Sequence, residues 1–105
     1  MSVIVTLRFE GDAKAMEAYG AANPDAMREI IDHAVQHGLV AHRFYGSDDG
    51  KIMVVDEWPD AGSFQEFFAH TQHQIGPFMA AGGVTAEPEV VFWRKLETGD
   101  DYGWE

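Results

Sequence analysis

The chain contains no cysteine. A disulfide framework, a thiol nucleophile and a Cys-ligated metal or iron–sulfur site are therefore excluded. Positive charge is scarce: 7 Lys and Arg stand against 18 Asp and Glu, a formal net charge of −11 at pH 7. Nucleic acid is held mainly by clustered Lys and Arg, so no nucleic acid partner is expected, and an anionic membrane surface is disfavoured for the same reason. No apolar run approaches the ~20 residues of a membrane helix. With no secretory leader recognisable, the expectation is a cytoplasmic protein. Ser-His-Asp and H-E-x-x-H patterns are missing. The Gly-rich pieces at residues 46–50 and 82–83 are followed neither by Lys-Ser/Thr nor by a helix start, so neither is a phosphate loop.

What is present is a chain of 105 residues that is 46% hydrophobic, enough for one domain over 1–105 with an acidic tail at 97–105. Residues 2–10 read as a strand, with Val3, Val5, Leu7 and Phe9 alternating against Ile4, Thr6 and Arg8. Asp12 can cap a short Ala-rich helix over 13–20, and Asn23-Pro24 restarts the chain as an N-cap with proline in the first helical position. Over 24–37 the helical period puts Met27, Ile30, Ile31, Ala34 and Val35 on one face, and Gly38 is the expected terminator. Strands at 39–45 and 51–58 flank the turn Gly46-Ser47-Asp48-Asp49-Gly50 and make a hairpin. Asp60 caps a second long helix whose buried face is Phe64, Phe67 and Phe68, and Gly76-Pro77 is expected to break it. Residues 84–96 contain the last strand. Tyr102 and Trp104 in the tail predict that it is held by contact.

The order β–α–β–β–α–β predicts a ferredoxin-like α+β sandwich, with both helical crossovers on one face of the sheet. Both parities of the strands carry apolar side chains: Val54 and Trp58 against Met53 and Val55, Val90 and Phe92 against Val91 and Trp93. An uncovered apolar sheet face exceeds what soluble monomers expose, so a homodimer through the sheet faces is expected.

The stretch KIMVVDEWPDAGSFQEFFAHTQHQIGPFM resembles the third strand and second helix of the antibiotic biosynthesis monooxygenase-like proteins. Trp58, Asp60, Phe64, His70 and His73 stand at or near that family's apolar strand ending in Trp, its capped helix start, its inward aromatic and its later histidines. The resemblance implies a dimeric α/β barrel. It also implies a cofactor-independent monooxygenase, or a cyclase, acting on an aromatic or polyketide-like small molecule between sheet and helices. A non-catalytic small-molecule-binding or stress-associated dimer of the same fold is the alternative. Haem binding or degradation through His70 or His73 is a weaker third, because the haem-degrading branch uses an Asn on the first strand and a Trp in the second helix. Here the first strand has no Asn, and Phe67 stands at the Trp position. No cofactor and no metal are expected.

Oxygenation without a cofactor needs a dry pocket and a base that turns the substrate into an anion able to reduce O₂. Imidazoles exchange protons near neutrality and suit that role. His42 shares its strand parity with Val40 and Phe44, and Asp56 shares its own with Ile52, Val54 and Trp58. Each has a plainer reading, His42 as a hydrogen-bonded core residue and Asp56 as half of an ion pair with Arg8, Arg43 or Arg94. His73 would turn inward if its helix ends near Thr71. The candidate catalytic set is thus His42, Asp56 and His73. The candidate substrate-binding set is Trp58, Phe64, Phe67, Phe68, His70, Phe78 and Arg43. His33 and His37 read as surface residues, with His37 near its helix C-terminus.

Overall fold

The structure, a computed structural model, describes residues 2–103. Strand β1 (Val3–Glu10) leads into helices α1 (Ala13–Ala22) and α2 (Pro24–Gln36). The hairpin β2 (Ala41–Gly46) and β3 (Lys51–Trp58), helix α3 (Ala61–Ala81) and strand β4 (Glu89–Trp93) complete the order. The strands form one sheet in the order β2-β3-β1-β4, every neighbouring pair antiparallel. Each helical connection skips over a strand and returns on the same side. This is the ferredoxin-like α+β arrangement.

Local chemistry sets the helix starts. Asp12 accepts the Ala15 N–H at 3.1 Å and opens α1. Asp60 accepts the Ser63 N–H at 2.7 Å and opens α3, and that bond holds its carboxyl below the ordinary carboxylate range. Gly38 follows α2 with φ of 103°, and a Cβ there would lie 3.1 Å from Pro59 Cγ, so two constraints favour glycine. Gly82 ends α3 where Met16 of α1 packs directly on its Cα, leaving no space for a side chain.

Several sequence expectations are corrected. Asn23 makes no side-chain cap for α2; its amide donates to Tyr19 O at 2.9 Å and closes α1 instead. Gly76-Pro77 does not break α3, which runs through to Ala81. Continuing the helix seats Phe78 between Tyr19 and Phe44, at ring distances of 5.7 and 5.4 Å, and that burial outweighs the hydrogen bond proline removes. Strand β2 starts two residues later than expected, so Leu39 packs on the core and Val40 is exposed. Strand β4, at Glu89–Trp93, falls inside the 84–96 segment expected to contain it. Val35 is exposed although its spacing matches the buried face of α2. The tail is not held by Tyr102, which is 93% exposed; Trp104 lies outside the described residues. Lys95 instead gathers Glu97 and Asp101 at 3.1 and 2.5 Å, and the two carboxylates raise its pKa.

Pairing register sorts the strand residues into two faces. Under the helices lie Val5, Leu7, Phe9, Ile52, Val54 and Trp58, which with Phe64, Phe67 and Phe78 make the core. On the opposite face Trp93 Nε1 donates to Thr6 Oγ1 at 2.8 Å, and Arg8 pairs with Glu89 at 3.5 Å.

Candidate functional site

One row of the sheet reads, across the strands, His42–Asp56–Val5–Phe92. It lies on the helix-covered face, so the parity that buries Val5 and Trp58 carries His42 and Asp56 inward as well. Above it the helices do not close completely. Large aromatic and thioether side chains pack with gaps, and a cavity of about 390 Å³ remains between sheet and helices. The sheet supplies Leu7, Phe44, Ile52 and Val54 to its floor alongside His42 and Asp56. Helix α2 adds Met27, Ile30 and Ile31. Helix α3 adds Phe64, Phe67, Phe68, Ile75 and Phe78, while Met16 and Glu17 of α1 form part of the outer wall.

His42 Nδ1 and Asp56 Oδ1 are 2.6 Å apart. The second carboxylate oxygen, Oδ2, accepts Trp58 Nε1–H at 3.2 Å. Asp56 is 6% exposed and Trp58 fully buried, whereas the His42 side chain keeps 26% of its surface open. An ionised carboxylate can only accept, so the hydrogen-bond network assigns the proton between the pair to His42 Nδ1. The ring's other nitrogen, Nε2, is then the one with a lone pair, and it has no partner among the described residues. Phe44 meets the imidazole edge-on, centroids 5.3 Å apart, and restricts its rotation. Trp58 is itself wedged against Phe64 and Phe67 at 5.9 and 5.4 Å. A fixed indole thus orients the carboxylate, and the carboxylate orients the imidazole. This arrangement can take a proton from a hydroxyl and stabilise the imidazolium that results.

His42, Asp56, Phe64, Phe67, Phe68 and Phe78, all singled out from the sequence, line the same cavity. The arginine pairing expected for Asp56 is replaced by His42 and Trp58. Trp58 stands behind the cavity wall and reaches the site only through Asp56. Arg43 lies on the open face of the sheet, exposed, with its guanidinium donating to Tyr45 Oη at 3.3 Å. His70 and His73 are exposed on α3, since the helix does not end near Thr71. His70 lies 6.3 Å from the His37 ring, outside the cavity, so a haem seated in the cavity would meet neither α3 histidine. His37 does close its helix: Nδ1 donates to His33 O at 2.9 Å. The α2 lining was visible as an apolar stripe, but nothing in its spacing separates cavity wall from solid core. Among the described residues no group of three or more His, Asp or Glu side chains is placed to hold a metal ion. Among the same residues no helix is long and apolar enough to cross a membrane.

No known family model matches the chain, and no curated protein sequence does. Solved structures do. A putative antibiotic biosynthesis monooxygenase from Bordetella bronchiseptica superposes with a TM-score of 0.64 at 11% identity, over 90% of this chain and 97% of that one. SnoaB, a cofactor-independent oxygenase from Streptomyces nogalater, gives 0.62 at 17% identity over 95% and 98%. Rv0793 from Mycobacterium tuberculosis gives 0.59 at 19% identity over 95% and 100%. The chain has the fold of the antibiotic biosynthesis monooxygenase-like proteins along nearly its whole length.

Proposed function

We propose that the protein is a small oxidoreductase of the antibiotic biosynthesis monooxygenase type, oxidising an aromatic or polyketide-like molecule with O₂ and no cofactor. The observation that carries this reading is the His42–Asp56 pair, 2.6 Å apart, on the floor of a cavity whose lining is otherwise almost entirely apolar. His42 Nε2 removes a proton from the bound phenol or enol, and Asp56 stabilises the imidazolium. The substrate anion supplies the electrons. For an anthrone the balance is anthrone plus O₂ giving anthraquinone plus water, with no external reductant. The apolar walls of α2 and α3 keep bulk water from the anion. The cofactor-independent oxygenase among the solved neighbours supports the same chemistry.

The working form in this reading is a cytoplasmic homodimer joined through the open face of the sheet. Ile4, Met53, Val55 and Val91 stand half-buried there beside a half-exposed Trp93, a surface that a second copy would cover. The test is oxygen consumption on a panel of anthrones and quinols in metal-free buffer. Turnover is expected in the parent chain and is lost in His42→Ala and Asp56→Asn with the fold intact by circular dichroism. Turnover that persists in both variants removes the assignment.

A further inference from the structure

Charge in the cavity has one sign. Among the described residues none of the 7 Lys and Arg side chains lines it. Its ionisable lining consists of His42, Asp56, Glu17 and Tyr45. Asp56 is already engaged at both oxygens, Oδ1 with His42 Nδ1 at 2.6 Å and Oδ2 with Trp58 Nε1 at 3.2 Å. Glu17 is exposed and belongs to the rim, whereas the Tyr45 phenol lies on the open face, where Arg43 donates to its oxygen at 3.3 Å, and gives the cavity no polar group. A molecule entering the cavity therefore meets one open hydrogen-bonding nitrogen on the floor, His42 Nε2, and that nitrogen accepts.

We infer that the cavity selects uncharged, mostly apolar molecules bearing a hydroxyl, and rejects the same skeleton carrying a carboxylate, sulfonate or phosphate. The inference rests on the His42–Asp56 reading above and adds to it the class of ligand. A hydroxyl needs one acceptor, and His42 supplies it. An anion would leave water for apolar walls, find no cation and face the Asp56 carboxylate, with Glu17 at the entrance; an unpaired charge in such surroundings is strongly disfavoured. Protonation of His42 does not reverse this, because its charge is balanced by Asp56 at hydrogen-bond distance. The single sign also means that the anion formed during reaction has the His42 imidazolium as its main counter-charge. That anion is stable only while the proton stays on His42, which ties its formation to proton transfer within the site.

Calorimetric titration at neutral pH with β-naphthol and β-naphthoate tests this, since the two share a ring system and differ in the acid group. β-Naphthol is expected to bind with a Kd lower by about tenfold or more, the equivalent of one strong interaction gained against one charge left unpaired. Glu17→Lys is expected to strengthen naphthoate more than naphthol and so narrow the ratio. His42→Phe, which keeps a ring on the floor but removes the acceptor, is expected to bring β-naphthol to the affinity of β-methylnaphthalene. Naphthoate binding as tightly as naphthol, a ratio unmoved by Glu17→Lys, or no binding of either ligand overturns the inference. Oxygen consumption keeps it separate from the enzymatic reading. Selective binding without turnover removes the oxygenase and leaves the selection standing. Turnover of carboxylated and plain anthrones at equal rates removes the selection alone.

Discussion

The two faces of one sheet are made from alternate residues of the same four strands, and they differ in kind. Under the helices the side chains are large and apolar, and the two polar members, His42 and Asp56, are bonded to each other. On the open face apolar and polar side chains are interleaved: Thr6, Arg8, Arg43, Glu57 and Glu89 stand among Ile4, Met53, Val55, Val91 and Trp93. The polar groups there also pair with one another, Ser2 Oγ donating to Glu57 at 2.5 Å and Trp93 donating to Thr6 at 2.8 Å. On the open face the Ser2–Glu57 pair is exposed and the Trp93–Thr6 pair is part-buried, and neither borders the cavity. The same kind of pair on the covered face is the polar part of an otherwise apolar cavity floor. Position beside the apolar cavity, and not residue type, makes the difference.

Charge placement should separate the faces most sharply. Val54→Asp puts a carboxylate beneath the helices next to Leu7, and is expected to cost about 4 kcal/mol or more and abolish the cooperative unfolding transition. Val91→Asp, two strands away on the open face, is expected to leave a folded protomer that sediments at half the mass of the proposed parent dimer. A folded Val54→Asp variant would contradict the assigned faces, and a Val91→Asp variant that remains dimeric would contradict the interface.

Within the covered face, Asp56→Asn is expected to lower turnover by roughly 10²–10⁴-fold, because an amide can donate to Nδ1 and invert the imidazole tautomer. Trp58→Phe keeps the buried ring and removes one hydrogen bond to Asp56. Its stability loss should be about 1 kcal/mol by denaturant titration, with a fall in turnover smaller than that of Asp56→Asn. Equal losses of turnover in the two variants would mean that Trp58 does more than orient the carboxylate.

The smallest effects should come from neither face. Truncation after Leu96 is expected to leave the melting temperature almost unchanged, since Tyr102 is exposed and the acidic segment engages Lys95 at the surface. Asp60→Ala removes the α3 cap and should lower the melting temperature slightly. Because the folded carboxyl titrates below its unfolded value, the stability it adds is complete above the unfolded pKa and is lost as pH falls through the folded one. The Tm difference between parent and variant should therefore close in strong acid.

The fold was legible because it rests on local signals that the structure obeys: the alternation in β1, the turn between β2 and β3, and the Asp12 and Asp60 caps. The shared parity of His42 with Phe44 and of Asp56 with Val54 and Trp58 was legible too, but which face of the sheet carries it was not; the register that sets Asp56 beside Val5 under the helices shows it. What the sequence could not carry was tertiary competition. Pro77 looked like a terminator, and only the contacts of Phe78 with Tyr19 and Phe44 show why α3 continues. That continuation is what holds His73 at the surface. Asp56 looked like a partner for arginine, and only the pairing register places His42 opposite it. Trp58 looked like a ligand platform, and the packing of Phe64 and Phe67 across it converts it to a support.

The central claim is that His42 Nε2 is an unprotonated acceptor open to the cavity while Nδ1 donates to Asp56. Nitrogen-15 imidazole spectra in neutral to mildly alkaline buffer, assigned by comparison with His42→Gln, read this directly. The expected spectrum has a protonated Nδ1 and a bare Nε2 for His42, with β-naphthol shifting that Nε2 signal and leaving His33, His37, His70 and His73 unmoved. A bare Nδ1 with a protonated Nε2, or a ligand that shifts the α2 and α3 histidines in place of His42, would contradict it.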